Sequence, residues 1–227
     1  MTIIQMHWYT VPYEWKPSSS TLLYLPFTDD LDNHSSQSYS LVSSSSASIT
    51  TLNGLKCATF SDGYLTFPDT NILNWVYTIS LWRKLTENSW ATPFVYVGKW
   101  TWASNKYYAY WEWTNTYRMS SSYWANDFTV RLSTPTFPTG WEYLVTTVDS
   151  NNLWTLYKNA TSLWTWNFWT SRAVSSWSLY VWADATAPST SWARFTWYIS
   201  NLIIDGKARS QAEITEYYNN TKANYGL

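Results

Sequence analysis

The sequence has little glycine and a single cysteine. Only 6 of its 227 residues are glycine, whereas average usage is about 7%. The one cysteine, Cys57, excludes a disulfide within the chain and a metal site built on cysteines. Because Cys57 lies in the apolar run KCATF, we expect a small buried side chain there.

Charge is also sparse. Charged residues make up 13% of the chain and the formal net charge is −1, with no basic run. We expect no nucleic-acid partner, because phosphate neutralisation requires clustered Lys and Arg. No stretch approaches the roughly 18 apolar residues of a membrane span. The N-terminal residues show neither the basic start nor the apolar segment of a signal peptide.

The usual catalytic patterns are missing as well. His7 and His34 have no partner at metal-ligand spacing, and neither Gly-x-Ser-x-Gly nor His-Glu-x-x-His occurs. A glucan-cleaving strand would carry carboxylates at alternate positions, so that both face the cleft. The only closely spaced glutamates, Glu213 and Glu216, fall on a predicted helix. The sequence therefore predicts a protein that is not an enzyme.

The chain does contain many short aromatic and β-branched runs, separated by Ser, Asn, Asp and Thr. Their composition and even spacing favour antiparallel strands. Strands are predicted at residues 22–27, 56–60, 64–68, 77–85, 93–99, 106–113, 116–122, 127–133, 141–149, 153–159, 178–183 and 195–208. The serine-rich residues 35–48 are interpreted as a surface loop or a poorly ordered insertion.

Two local signals complete this pattern. Asp149 to Asn152 form the predicted turn of a hairpin. Ser210 and Glu213 form a capping box that opens a terminal helix, which Gly226 can end. We predict an all-β fold, an antiparallel two-sheet jelly-roll sandwich with a short C-terminal helix. Residues 1–20 are interpreted as an irregular lead-in and residues 21–227 as one domain.

Five segments in order resemble laminin-G-like domains of the concanavalin A-like lectin/glucanase family. They are LLYLPFTDDLDN, GLKCATFSDGYLTFPDT, YTISLWRKL, GWEYLVTTVDSNNLWTLYKNA and FTWYISNLIIDGKARSQAEITEYYN, and the match covers residues 21–225. The resemblance implies that Trp82 and Trp141 stand where the family has tryptophan. Both are expected to be buried between the sheets, each on a central strand.

Other tryptophans stand where the family has small residues, usually glycine. The chain has 19 tryptophans, and glycine suits the positive φ angles that a sandwich with many turns requires. We hypothesise that UGA codons were translated as Trp although the source, an uncultured bacterium, uses UGA for Gly. The suspect positions are Trp75, Trp90, Trp100, Trp102, Trp111, Trp113, Trp124, Trp154, Trp164, Trp166, Trp169, Trp177, Trp182, Trp192 and Trp197.

The segment SLWTWNFWT, residues 162–170, tests this hypothesis. If its tryptophans are misread glycines, Trp164, Trp166 and Trp169 should lie well exposed in a loop or an edge segment. Some suspect tryptophans elsewhere should have positive φ, which is unusual for a bulky residue. The alternative is a genuinely tryptophan-rich binding protein, whose rings would converge on one groove.

The run KYYAYWEWTNTYRM supplies a candidate ligand site. Strand alternation places Tyr108, Tyr110 and Glu112 on one face, and Arg118 could contribute from the neighbouring strand. Aromatic faces can stack on sugars while charged groups bind the hydroxyls. The alternative is that this face belongs to the sandwich core.

The run TDDLDN supplies a candidate calcium site. Asp29, Asp30 and Asp32 offer hard oxygen ligands on one loop, and related domains sometimes carry calcium. The alternative is a solvated acidic turn. The sequence requires no cofactor.

The resemblance implies a non-catalytic module that binds carbohydrate, a cell-surface glycan or a surface protein, located outside the cell or at its surface. One alternative is a structural module of a larger surface or tail-fibre assembly, without a ligand site. A glucan hydrolase is disfavoured by the missing carboxylate pattern.

Overall fold

The structure is a computed structural model, and it describes residues 15–37, 39–69, 72–73, 76–85, 94–99, 104–111, 116–123, 126–133, 140–167, 178–181 and 196–227. The strands are β1 (Thr21–Leu25), β2 (Ser43–Leu52), β3 (Leu55–Asp69), β4 (Tyr77–Leu85), β5 (Phe94–Lys99), β6 (Ser104–Trp111), β7 (Thr116–Tyr123), β8 (Asn126–Ser133), β9 (Trp141–Val148), β10 (Leu153–Lys158), β11 (Thr161–Asn167), β12 (Ser178–Val181) and β13 (Thr196–Asp205). One helix, α1 (Gln211–Thr221), and a 3₁₀ turn (Lys222–Tyr225) follow.

All of these strands pair in antiparallel fashion, and the fold is a β-sandwich with a short C-terminal helix, as the sequence predicts. The ladders run in the order β11-β10-β9-β4-β13-β3-β12-β5-β6-β7-β8, with β1 on β13 and β2 on β3. The hydrogen-bonded network is continuous, since β13 pairs with β1, β3 and β4, and β3 pairs in turn with β2 and β12. Among the described residues, no helix is long and apolar enough to cross a membrane.

The main core lies between the two layers. It collects inward-facing side chains from β1, β3, β4, β9, β10, β12 and β13, including Leu81, Leu144 and Leu179, all fully buried. Because successive side chains of a strand point to opposite faces, the same strands also present a second apolar face. That face is covered by α1, whose Ile214 and Tyr217 are buried against it.

Trp82 and Trp141 belong to this second cluster. They are 0% and 7% exposed and lie on β4 and β9, interior strands of the ladder, as predicted. Their expected location between the sheets was wrong, because they pack under the helix. Leu81 takes the position facing the main core, and alternation then directs Trp82 to the other side.

Cys57 is fully buried in the same helix-covered cluster. Burial raises the pKa of its thiol to about 11. The prediction of a small buried side chain is therefore confirmed, and the raised pKa makes a reactive thiolate unfavourable.

Three strand assignments differ from the sequence prediction. The loop predicted at residues 35–48 gives way at Ser43 to strand β2 (Ser43–Leu52), which the sequence did not predict. Pairing with β3 satisfies the backbone hydrogen bonds of β2, although its serine side chains offer no apolar surface for packing. Residues 56–60 and 64–68 belong to one continuous strand, β3. Residues 161–167 add an unpredicted strand, β11.

The predicted local signals are confirmed. Asp149 Oδ1 accepts hydrogen bonds from the backbone N–H groups of Asn151 and Leu153, both at 2.8 Å, in the β9–β10 turn. The Ser210 side chain accepts from the Glu213 N–H while the Glu213 carboxylate accepts from the Ser210 N–H, which is a complete capping box. Gly226, with φ 76°, ends the 3₁₀ turn, whereas α1 itself ends at Thr221.

Candidate functional site

The most promising surface feature in the described chain is a groove around Trp15. The ring of Trp15 lies edge-on to Tyr24 at 4.9 Å and to Tyr217 at 6.4 Å, measured between ring centroids. It is half-buried, so part of the indole remains open to solvent. The end of the lead-in is thereby packed between β1 and α1.

Two cavities meet at Trp15 and Tyr217, and together we call them the Trp15 groove. The first has a volume of about 210 Å³ and the second about 180 Å³. The first is lined by Trp15, Tyr24, Pro26, Thr28, Leu55, Lys56, Ser200, Asn201, Tyr217, Thr221 and Asn224. The second is lined by Trp15, Lys16, Ser18, Lys207, Arg209, Glu213, Glu216 and Tyr217.

Arg209 forms a fixed cationic floor for the second cavity. Its side chain is 6% exposed, and its Nε lies 2.5 Å from Asp205 Oδ2. The guanidinium carbon lies 5.2 Å from the centre of the Trp15 ring and 5.9 Å from that of Tyr217. These contacts hold both rings and the cation in one arrangement, since arginine is attracted to aromatic faces.

Asn201 shapes the wall of the first cavity. It occupies a β-bulge in β13 with φ 51°, a conformation that asparagine tolerates better than most residues. Its Oδ1 accepts from Tyr24 Oη at 3.3 Å and its Nδ2 donates to Tyr225 Oη at 2.8 Å. The amide is therefore held in place by two tyrosines.

Exposed polar groups lie at the rim. Asn224 and Lys56 are exposed, and Lys56 Nζ forms an ion pair with Asp29 at 2.6 Å. Glu216 is exposed on the other side of the groove. Donors and acceptors thus surround an aromatic ring, which is the chemistry that polyhydroxyl ligands require.

The groove could not be found from the sequence. Its residues come from the lead-in, β1, β3, β13, α1 and the C-terminal turn, and no motif connects Trp15, Lys56 and Asn224. The only hint was that Trp15, placed before Lys-Pro, is not among the suspect tryptophans.

The ligand site predicted from the sequence lies on β6 and β7, for which the structure describes the strand pairing of the backbone. Tyr108 pairs with Val97 and Tyr110 with Val95 between β5 and β6, and Arg118 pairs with Arg131 between β7 and β8. Glu112 lies outside the described residues. The ligand-binding role of these residues stays a prediction.

The acidic turn uses its carboxylates locally. Asp29 pairs with Lys56, and Asp30 Oδ1 lies 2.8 Å from His34 Nε2 and accepts from the Asp32 N–H at 3.0 Å. These hydrogen bonds lower the pKa of Asp29, through Lys56, and that of Asp30, through His34. Within the described residues, no three His, Cys, Asp or Glu side chains are grouped to hold a metal ion. These contacts are those of a hydrogen-bonded acidic turn, and calcium binding by Asp29, Asp30 and Asp32 stays a prediction.

A buried ion cluster lies between β4, β9 and β10. Arg83 Nη2 donates to Glu142 Oε2 at 2.9 Å, and the two side chains are 0% and 4% exposed. Lys158 pairs with the other oxygen of the same carboxylate. The two further glutamates that the structure describes, Glu213 and Glu216, lie on α1. The described glutamates therefore form no pair across a cleft.

The tryptophans of residues 162–170 lie partly at a sheet edge. Trp164 and Trp166 are on β11, which among the described strands pairs with β10 alone, and Trp166 is 43% exposed. Their position agrees with the expected edge segment, although Trp164 is half-buried and packs against the main core. Trp169 lies outside the described residues.

Two observations bear on the expectation for misread glycines. The described residues with positive φ, apart from glycine, are Phe27, Ser46, Asn53, Leu73, Asn152, Asn159, Ala160 and Asn201. No tryptophan is among them, but ten of the fifteen suspect tryptophans lie outside the described residues. Positive φ at some suspect tryptophans therefore stays a prediction. Trp154 is 3% exposed and packs edge-on against Tyr77 at 6.4 Å.

Comparison with known proteins gives no match in sequence. No protein-family model matches the chain, and no curated protein does. The laminin-G-like assignment therefore has no support from a family match.

Solved structures do match in fold. The binding domain of botulinum neurotoxin DC, in complex with rat synaptotagmin II, has a TM-score of 0.70 at 11% identity over 88% of this chain and 51% of that one. The binding domain of Paraclostridial mosquitocidal protein 1 has a TM-score of 0.69 at 11% identity over 88% and 52%. A third comes from botulinum neurotoxin type C, whose cell entry depends on interaction with two ganglioside molecules, with a TM-score of 0.67 at 13% identity over 88% and 51%.

These similarities establish a β-rich fold shared with binding domains of toxins. This chain spans about half the length of the chains it matches. The ganglioside and synaptotagmin interactions belong to those longer proteins.

Proposed function

We propose that this chain is a non-catalytic binding domain of the laminin-G-like type and that it binds carbohydrate in the Trp15 groove. The observation that carries the proposal is the groove itself, in which a fixed, partly open indole is surrounded by donors and acceptors. The fold supports it, since similar sandwiches serve as binding domains of toxins. Fold alone does not fix function, so the site has to carry the argument.

The groove fits the two-sided chemistry of a sugar. A pyranose ring has an apolar C–H face that can lie against Trp15, and hydroxyl groups at its edge. Asn224 and Lys56 lie at the rim, where an amide and an ammonium can bind hydroxyls. Arg209 and Asn201 are already fixed by protein contacts, which lowers the entropy lost on binding.

A glycan array followed by titration calorimetry tests this proposal. We expect reproducible sugar binding that Trp15→Ala abolishes. Because Trp15 also packs against Tyr24, the exposed-rim variant Asn224→Ala is needed, and it should weaken binding without lowering the unfolding temperature. Trp166→Ala is the matched control, since it removes an exposed indole outside the groove.

Two results would contradict the proposal. Binding that survives both Trp15→Ala and Asn224→Ala would place the ligand elsewhere. If Tyr108→Ala then abolished binding, the strand β6 site would be the ligand site. Absence of binding to every glycan would favour a structural role.

A structural module of a larger surface or tail-fibre assembly is the second candidate. This alternative is favoured by the length of the match, because this chain corresponds to about half of each matched chain. Such a module would stabilise a neighbouring domain. In the longer protein, Trp15→Ala would then lower the unfolding temperature of the neighbour without changing glycan binding.

An extracellular or cell-surface location is part of the proposal. It is supported by the carbohydrate chemistry of the groove and by the type of protein that shares the fold. Localisation of the native protein by surface proteolysis of intact cells tests it, and protection from protease would contradict it.

Recoding of UGA as glycine also remains a proposal. It is supported by the exposure of Trp166 on an edge strand and by the family resemblance. Trp154, buried beside Tyr77, is the described position that opposes it. Genomic codons decide the matter: UGG at the suspect positions would end the hypothesis, and mass spectrometry of native peptides would show glycine if it holds.

A further inference from the structure

The tip of the β2–β3 hairpin is the only Asn-Gly dipeptide in the sequence. Leu52 pairs with Leu55, so Asn53 and Gly54 form a two-residue turn. Their φ angles of 54° and 82° are those of a type I′ turn, for which Asn-Gly is the preferred sequence. Both residues are exposed, and nothing lies within 4 Å of the position that a Cβ of Gly54 would occupy.

The Asn53 side chain is not held by the fold. Among the described contacts, its amide makes no hydrogen bond, and the Gly54 N–H lies beyond the last pair of the ladder. The turn is therefore stabilised only by its backbone and by the strands below it. Local opening at such a tip requires little free energy compared with global unfolding.

The β10–β11 hairpin provides an internal comparison. Asn159 and Ala160 have φ 50° and 63° and form the same type of turn. Here Asn159 Oδ1 accepts from the Tyr143 N–H at 2.9 Å, and the Asn159 N–H donates to the Tyr143 carbonyl at 2.8 Å. This asparagine is held against β9, and the residue that follows it, Ala160, carries a Cβ, which Gly54 lacks.

We propose that Asn53 is a site of spontaneous deamidation in the folded protein and that Asn159 is protected from it. This inference does not depend on the proposed sugar-binding function. It rests on exposure, the missing hydrogen bonds and the absence of a side chain on Gly54.

The reaction needs only water. In the locally opened turn, the backbone nitrogen of Gly54 attacks Cγ of Asn53, the N–Cγ bond forms, and the Cγ–Nδ2 bond breaks. The Gly54 amide proton goes to the departing nitrogen, which leaves as ammonia, and a cyclic succinimide remains. Water then opens the ring at Cγ to give aspartate, or at the main-chain carbonyl to give isoaspartate.

The product changes the hairpin in two ways. It adds one negative charge to a chain of formal net charge −1. Isoaspartate also routes the backbone through the side chain, adding one atom between Leu52 and Leu55, and a type I′ turn cannot absorb that atom without altering the register. Leu55 and Lys56 follow directly, so the change reaches the wall of the Trp15 groove.

Incubation of the purified full chain at mildly alkaline pH, followed by peptide mapping with mass spectrometry, tests the proposal. The peptide that contains Asn53 should gain the mass of an amide-to-acid conversion over time, together with an acidic shift in isoelectric focusing. The peptide that contains Asn159 should remain unchanged. Gly54→Ala should slow conversion at Asn53 severalfold or more.

Ala160→Gly creates a second Asn-Gly turn. It therefore tests whether the deamidation rate depends on the fold around the asparagine or on the Asn-Gly sequence alone. If the fold protects Asn159, this variant should deamidate there much more slowly than at Asn53 when folded, and at a similar rate in urea. Equal deamidation rates at Asn53 and Asn159 in the folded variant would contradict protection of Asn159 by the fold. A stable Asn53 in the folded chain, with conversion only in urea, would overturn the proposal itself.

Discussion

The ring of Trp82 lies parallel to the ring of Tyr225, with their centroids 3.9 Å apart and 11° between the planes. Tyr225 comes from the 3₁₀ turn after α1, so this stack joins an interior strand to the end of the chain. Tyr225 Oη donates to Ser200 Oγ at 3.0 Å and accepts from Asn201, which ties the stack to β13. The C-terminal turn is therefore part of the core and not an appendage.

Trp82→Ala should lower the free energy of unfolding by about 3–5 kcal/mol, the usual effect of truncating a large buried aromatic. The loss comes from the contacts with Tyr225 and Tyr143 and from the cavity left under the helix. Urea denaturation measures it. Tyr218→Ala, at the half-buried margin of the same stack, should give a smaller loss. An equal effect of both changes would contradict the central role of Trp82.

Glu142→Gln should lower the free energy of unfolding by about 3–5 kcal/mol, because it leaves the buried Arg83 cation without its carboxylate. Chemical denaturation of the variant provides the measurement. Lys56→Gln is the control, since it disrupts an exposed ion pair and should change little. A loss below about 1 kcal/mol for Glu142→Gln would mean that water reaches the cluster.

Acid should weaken the start of α1. The hydrogen bond from Lys207, together with the Ser210 N–H, lowers the pKa of Glu213 from 4.5 to about 2. A depressed pKa means that the charged form stabilises the fold. This contribution is complete above pH 4.5 and is lost as the pH falls towards 2.

Unfolding curves at several pH values test the Glu213 effect. Glu213→Gln should show a smaller loss of stability than the unmodified chain over this acid range, because it cannot lose the charged contact. Glu216→Gln, on the same helix and exposed, should follow the unmodified chain. Superimposable pH profiles for Glu213→Gln and the unmodified chain would refute the assignment.

Ala160→Gly should raise the free energy of unfolding by on the order of 1 kcal/mol, because φ 63° is unfavourable for alanine and free for glycine. Gly54→Ala should have the opposite effect at φ 82°, with no steric clash beyond the backbone itself. Thermal or urea unfolding of both variants gives the answer. If both substitutions shifted the free energy of unfolding in the same direction, backbone strain at positive φ would not account for the stability of the two turns.

Elements that depend on neighbouring residues could be predicted from the sequence. Alternating aromatic and β-branched residues specified most strands, since a half-buried strand needs that pattern. Ser210 and Glu213 fixed the start of α1 because a capping box is a local hydrogen-bond exchange. The same locality explains the hairpin turn at Asp149. Strand β2 escaped prediction because its serines carry no hydrophobic pattern, and its pairing with β3 makes it a strand.

Contacts between distant segments depend on the three-dimensional packing of the chain. Trp82 is buried under a helix rather than between the layers because the pairing of β4, β9 and β13 determines which face α1 covers. Trp15 and Asn224 come from opposite ends of the chain and meet at one groove. No pattern in the sequence encodes such a meeting, since it follows from the antiparallel pairing of β1 with β13 and from the packing of the helix on both.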